Sequence, residues 1–166
     1  MERQRGQTGV STSGHHEVLA YWSSLRVDGR LPARAQIDPR RLKTLLPTVS
    51  LIDVVRGEGG RVDYRQRLAG TGLFNVYGCE ITGRRLSDVY TEADAAYWRE
   101  QLDSVVASGR PAVGCQTITT RSVGACALLW MRLPLAKDGR NVDMILGYDS
   151  PVGGRIRASE TGIRAA

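Results

Sequence analysis

Three cysteines and two histidines are all that this chain offers to thiol, metal or imidazole chemistry. Cys79, Cys115 and Cys126 form an odd set without close spacing. That is neither a disulfide framework nor a CxxC metal motif, and buried thiols are the expected role. His15 and His16 stand together in a polar N-terminal stretch, which leaves the expected core without an imidazole for a triad, a metal site or general-base work. Asp53, Asp143 and Asp149 fall in strand-like segments, spaced by alternation and not aimed at one point. Acid–base catalysis needs two titratable groups with a common focus and separated pKa values, and no such pair can be assembled here. Gly57-Glu58-Gly59-Gly60 has the glycines of a phosphate loop but neither its Lys nor the helix that follows one. An enzyme is therefore not the expected outcome.

The formal charge of +6 raises nucleic acid as a partner. Its distribution weakens that reading. A net +1 lies on residues 1–16 (Arg3 and Arg5 against Glu2) and a net +2 on residues 151–166 (Arg155, Arg157 and Arg164 against Glu160), leaving +3 on the rest. One local excess remains in residues 26–43: Arg26, Arg30, Arg34, Arg40, Arg41 and Lys43 against Asp28 and Asp38. Such a patch can meet phosphates, but no aromatic residues alternate with its charges as a single-strand binder would want. A solvated or partner-facing basic surface is the favoured role.

An apolar share of 42% with 24% charged residues is that of a globular chain, and 166 residues suffice for one domain with a real core. No apolar run is long enough for a membrane span, and residues 1–16 lack the apolar stretch of a secretory signal, so a cytoplasmic protein without membrane contact is expected.

The elements follow from periodicity. Residues 1–16, rich in Gly, Ser, Thr and Gln, read as a flexible lead-in. Glu17 to Val27 reads as an amphipathic helix carrying Val18, Tyr21, Trp22 and Leu25 on one stripe, stopped by Asp28-Gly29. A second helix is expected through Leu46, with Asp38 as N-cap and Pro39 as first helical residue. The period then turns extended. Thr48–Arg56 and Arg61–Ala69 should pair as a hairpin, with Val62, Tyr64, Gln66 and Leu68 sharing one face. A short helix is expected over Leu73–Tyr77, and a longer one after Thr91 that places Ala95, Trp98, Leu102 and Val105 in a line. Three further strands, Ala112–Thr120, Ala127–Leu135 and Val142–Asp149, close the domain, the last two joined at Asp138-Gly139. A flexible basic tail is expected over residues 151–166.

Specific blocks add a family resemblance. Tyr64-Arg65-Gln66-Arg67-Leu68-Ala69-Gly70-Thr71 resembles the YRLAGT signature of the PAS subfamily called PAS_5. Tyr21-Trp22, Leu31-Pro32-Ala33-Arg34, Ile37-Asp38-Pro39 and Leu45-Leu46-Pro47 upstream are similar to that subfamily, as are Tyr77-Gly78 and Ile81-Thr82-Gly83-Arg84 downstream. The resemblance spans residues 17–150. It departs at Arg65-Gln66-Arg67, where one residue stands inserted, as a bulge or a shifted strand start. The resemblance implies an α+β fold, a PAS-like five-stranded antiparallel sheet with helices on one face, here with an extra N-terminal helical segment.

In that superfamily the sheet and its helices can enclose haem, flavin, a small metabolite or nothing. Haem wants an axial His, and Cys79, Cys115 or Met131 would be poor substitutes. A light-sensing flavin site resembles a reactive cysteine in an Asn-Cys-Arg-Phe-Leu motif, whereas Cys79 follows Gly78 outside any such motif. Neither cofactor is favoured. Leu68, Phe74, Tyr77, Trp98, Cys115, Met131 and Tyr148 are the residues expected near any ligand cavity, with plain core filling as their competing role. Val18, Tyr21, Trp22 and Leu25 would form a homodimer or partner interface, or cap the chain's own sheet. The expected function is a stand-alone PAS sensor or interaction domain in bacterial signalling, binding a small ligand or an unidentified signalling protein. The alternatives are a basic regulator touching nucleic acid through Arg34, Arg40, Arg41 and Lys43, and a small cup-shaped α+β enzyme.

Overall fold

A helix, a run of short 3-10 turns, a β-hairpin, three helices and three more strands follow one another along the chain. The computed structural model describes residues 11–120 and 124–152. The expected lead-in and tail fall mostly outside these residues.

The strands are β1 (Val49–Arg56), β2 (Val62–Ala69), β3 (Ala112–Thr120), β4 (Gly124–Leu135) and β5 (Met144–Pro151), in the antiparallel order β2-β1-β5-β4-β3. Successive side chains of a strand point to opposite faces. Register therefore sorts Ser50, Ile52, Val54, Tyr64, Gln66, Trp130, Arg132 and Asp149 to one face, here called inner. Val49, Leu51, Leu129, Met131, Leu133, Leu146 and Tyr148 go to the other, outer face.

The inner face is covered by α2 (Leu73–Tyr77), α3 (Leu86–Val89) and α4 (Glu92–Ser108). Helix α4 begins where its cap chemistry dictates. The Thr91 hydroxyl accepts from the Asp94 amide, and Gly109 ends the helix at φ 61°, a left-handed conformation that suits glycine. Asp94, Trp98, Leu102 and Val105 form its buried stripe.

The outer face is covered by α1 (Ser13–Ser24) and the segment after it. This helix starts four residues before the expected Glu17. Gly14 and His15 are buried with Val18 and Trp22, because tertiary packing extends the helix into a stretch whose composition suggested a coil. The expected helix after Asp38 is replaced by 3-10 turns at Pro39–Leu42 and Leu46–Thr48. The cap itself is as expected, with Asp38 Oδ1 accepting from the Arg40 amide at 3.0 Å. Only Leu42 of that stretch is fully buried, so two short turns that lead straight into β1 suffice.

Two details bear on the sites. The hairpin contains a bulge: Leu51 pairs with Leu68 but Ile52 pairs with Gln66, so Arg67 is the extra residue and Leu68 turns to the outer face instead of joining Tyr64 and Gln66. The β4–β5 connection is a longer loop organised by Asp138, whose carboxylate accepts from the Arg140 and Asn141 amides and the Asn141 side chain. Those bonds, the Arg140 amide first, hold its pKa down at about 2.

Candidate functional site

Inside the space between sheet and helices lies a charged pair. Arg132 of β4 reaches across to Asp149 of β5 in a two-pronged contact, Nη1–Oδ1 2.7 Å and Nη2–Oδ2 3.3 Å, with both side chains 2% exposed. Nη1 also donates to the Met131 carbonyl at 2.8 Å. The guanidinium lies 4.6 Å from the Trp98 ring centre and 5.8 Å from that of Trp130, while the two indoles meet edge to face at 5.3 Å. Burial alone would weaken the hold of Arg132 on its proton, but the Asp149 carboxylate outweighs it and the pKa rises.

Beyond the indoles, the Tyr90 hydroxyl donates to that of Tyr77 at 3.0 Å, and burial raises both phenol pKa values well above the ordinary range. The Trp98, Trp130 and Arg132 Nε groups, the Ser50 hydroxyl and the Gln66 side-chain oxygen are buried without a hydrogen-bond partner. The interior under the helices thus holds a closed ion pair flanked by aromatic rings within an otherwise apolar core.

The outer face presents a second feature. Its middle is sealed by α1: His15 lies edge to face on Tyr148 at 4.7 Å, its Nε2 meets the Leu129 carbonyl at 3.1 Å, and the Trp22 indole donates to the Pro134 carbonyl at 2.9 Å. Gly14 is packed so tightly that a Cβ there would sit 2.1 Å from the Tyr148 hydroxyl. Toward β2 the cover thins to an open groove of about 450 Å³. Val49, Leu51 and Leu146 form its floor, Ile37 and Leu42 one wall, Leu68 and Pro47 the other, with Arg34 and Lys43 also in the lining.

The seven residues expected around a ligand cavity are divided between the two faces. Tyr77 and Trp98 belong to the inner cluster. Leu68 lines the outer groove, Tyr148 lies under α1, and Met131 and Cys115 share the outer face of β4 and β3. Phe74 is 53% exposed on α2. Of the four expected interface residues, Val18 and Trp22 are buried in the chain's own core, while Tyr21 and Leu25 are half-buried. The Tyr21 hydroxyl ties the following segment down by accepting from the Asp38 amide at 2.7 Å.

Two expectations require correction. The core does hold a histidine, since His15 is 5% exposed, and burial lowers its pKa despite the hydrogen bond to Leu129. The thiols are not buried: Cys115 is exposed because the outer face of β3 is bare, and Cys79 and Cys126 are half-buried. Among the described residues no His, Cys, Asp and Glu group could hold a metal ion, and no helix is long and apolar enough to cross a membrane. Sequence reading named Asp149 but missed Arg132 and Trp130. The signal was present in Leu128-Leu129-Trp130-Met131-Arg132-Leu133, a lone charge inside an apolar strand that must find a buried partner.

The chain matches the family model of the PAS domain called PAS_5 over residues 10–149. No curated protein sequence matches it. Among solved structures, the fold is similar to the dark-state LOV domain of the blue-light photoreceptor Aureochrome1, with 15% identity and a TM-score of 0.50 over 68% of this chain and 80% of that one. It is also similar to the LOV protein of Rhodobacter sphaeroides, with 15% identity and a TM-score of 0.51 over 66% of this chain and 64% of that one. An RNA-binding light-oxygen-voltage receptor matches with 17% identity and a TM-score of 0.51 over 73% of this chain and 36% of that one. At these identities the likeness is one of fold.

Proposed function

The chain belongs to the PAS domain family, PAS_5, and on that premise we propose that it is a non-catalytic sensory module of cytoplasmic bacterial signalling whose signal is a small polar molecule received at the Arg132 cluster. The observation that carries this reading is the set of three buried donors without a partner, Arg132 Nε and the indole nitrogens of Trp98 and Trp130, on three side chains that pack against one another. An unsatisfied buried donor costs about 1–3 kcal/mol, so a ligand that entered between sheet and helices and accepted from these groups would recover part of that cost. Acceptor-bearing polar molecules suit it best, since the N–H groups of two indoles and a guanidinium await acceptors there.

Transmission follows from strand alternation. Asp149 points into the cluster and its neighbour Tyr148 points out against Gly14 and His15 of α1. A ligand that shifts Asp149 moves Tyr148 one peptide away, and α1 is the element that feels it. Helix α1 and the outer face would then engage a second copy or a signalling protein.

Native mass spectrometry of the protein purified from its own host tests this, run again under denaturing conditions. The expected result is a small molecule that leaves on denaturation and is absent from an Arg132→Met, Asp149→Leu double variant. A bare polypeptide in every sample would overturn ligand sensing and leave a protein-interaction module. A dimeric mass would name a second copy as the partner.

A further inference from the structure

We propose that the outer-face groove is a second binding site, for a small free amphipathic anion: a flexible aliphatic chain ending in a carboxylate. The groove's volume of about 450 Å³ falls within the range of small-molecule sites, and its floor of Val49, Leu51 and Leu146 is apolar. Leu68 stands 46% exposed at its edge, placed there by the β2 bulge, which turns onto the outer face a side chain that regular alternation would send inward.

The charge at the groove is one-sided. In the basic stretch that borders it, Arg40 is paired with Asp38 at 3.1 Å, Arg26 donates to the Gly29 carbonyl and Arg30 to the Asp138 carbonyl. Arg34, which donates to the Ile37 carbonyl at 3.4 Å, and Lys43 line the groove, and neither has a carboxylate partner among the described residues. An apolar trough with two unneutralised cations fits an alkyl chain with an anionic head. A neutral chain would leave the cations unused, and a bare anion would leave the trough wet. The site lies on the opposite side of the sheet from the Arg132 cluster and shares no residue with it, so either can fail alone.

Octanoate, 1-octanol and acetate, titrated calorimetrically into the full chain, test the assignment. Saturable one-site binding of octanoate below millimolar concentration is expected, with octanol at least tenfold weaker and acetate silent. Leu68→Glu and Lys43→Glu should each weaken octanoate at least tenfold, and Leu68→Ala less. The Arg132→Met, Asp149→Leu double variant should leave octanoate affinity unchanged. Circular dichroism confirms that each variant is folded, and Leu68 and Lys43 are both exposed enough to change without loss of the core. Absence of saturable octanoate binding at millimolar concentration overturns the proposal, as does affinity indifferent to Leu68→Glu and Lys43→Glu. Binding only to anionic phospholipid vesicles overturns it in favour of a membrane surface. A dimer that Leu68→Glu dissociates, without octanoate binding, overturns it in favour of an interface between copies.

Discussion

Arg132 and Met131 are neighbours on β4, and Asp149 and Tyr148 are neighbours on β5, yet they inhabit different environments. Arg132 and Asp149 face inward, where two indoles flank the pair and its charge is closed off from water. Met131 and Tyr148 face outward onto an apolar layer that α1 seals in its middle and leaves open toward β2. The inner face concentrates polarity where solvent is excluded, and the outer face leaves apolar surface where solvent enters. Within one strand, β5, Asp149 thus belongs to a closed charged centre while Leu146, three residues away, lies in the floor of an open apolar groove.

The largest expected effect is at the closed centre. Asp149→Ala leaves the Arg132 guanidinium buried without its counter-charge and should cost about 3–5 kcal/mol in urea-induced unfolding. Replacing both residues, Arg132→Met with Asp149→Leu, should recover most of that, because the desolvation of two charges is then no longer required. A single substitution costing under about 1 kcal/mol would match a pair open to solvent and erase the contrast between the faces.

The next effect belongs to the seal. An alanine in place of a helical glycine normally stabilises by about 0.5–1 kcal/mol. At Gly14 the added Cβ meets the Tyr148 hydroxyl at 2.1 Å, so Gly14→Ala should instead destabilise by about 1–3 kcal/mol. Hydrogen exchange should accelerate in α1 while α4 stays protected, because the clash is confined to the outer face. Uniform acceleration would mean that the outer cover and the inner core unfold as one unit.

Much of this arrangement was legible in the sequence. Leu73–Tyr77 and Ala112–Thr120 have the expected bounds, because glycines or a proline delimit them and their patterns have one period each. The caps at Asp38 and Thr91 were legible for the same local reason. The misses are tertiary. Gly14 and His15 become helical through their contact with Tyr148, more than a hundred residues away in sequence, which no local signal in the Ser-Thr-Ser-Gly run carries. The bulge at Arg67 shifts Leu68 to the other face, and regular register puts Cys115, Met131 and Tyr148 there too, so the expected ligand residues mixed two faces that the sheet keeps apart. Arg132 was visible as a charge in an apolar strand, but its partner sits on the next strand and only register brings the two together.

A smaller effect should appear with pH. Burial lowers the pKa of His15 below its ordinary 6.5, with Arg132 and His16 acting in the same direction and the Leu129 carbonyl and Asp149 opposing them. The folded state therefore prefers neutral His15. Its contribution to stability is intact above about 6.5 and is lost as pH falls from there toward the lowered folded value. The slope of stability between pH 7 and pH 5 should flatten in His15→Gln and persist in His16→Gln, since His16 is exposed. An unchanged slope in His15→Gln would place the acid sensitivity elsewhere.

The smallest effect is expected at the open groove, and its smallness is the point. Leu68→Ser removes a large apolar side chain from β2, the sort of change that costs about 2–5 kcal/mol in a core. Leu68 is 46% exposed, however, and the bulge has already carried it away from Tyr64 and Gln66 on the buried face. Its removal should change thermal stability by no more than about 0.5 kcal/mol. A loss of that small size would show that the groove's outer wall is not needed for the fold and is free to serve recognition. A loss above about 1 kcal/mol would show instead that Leu68 closes the outer layer as α1 does, and the two parts of that face would then be alike.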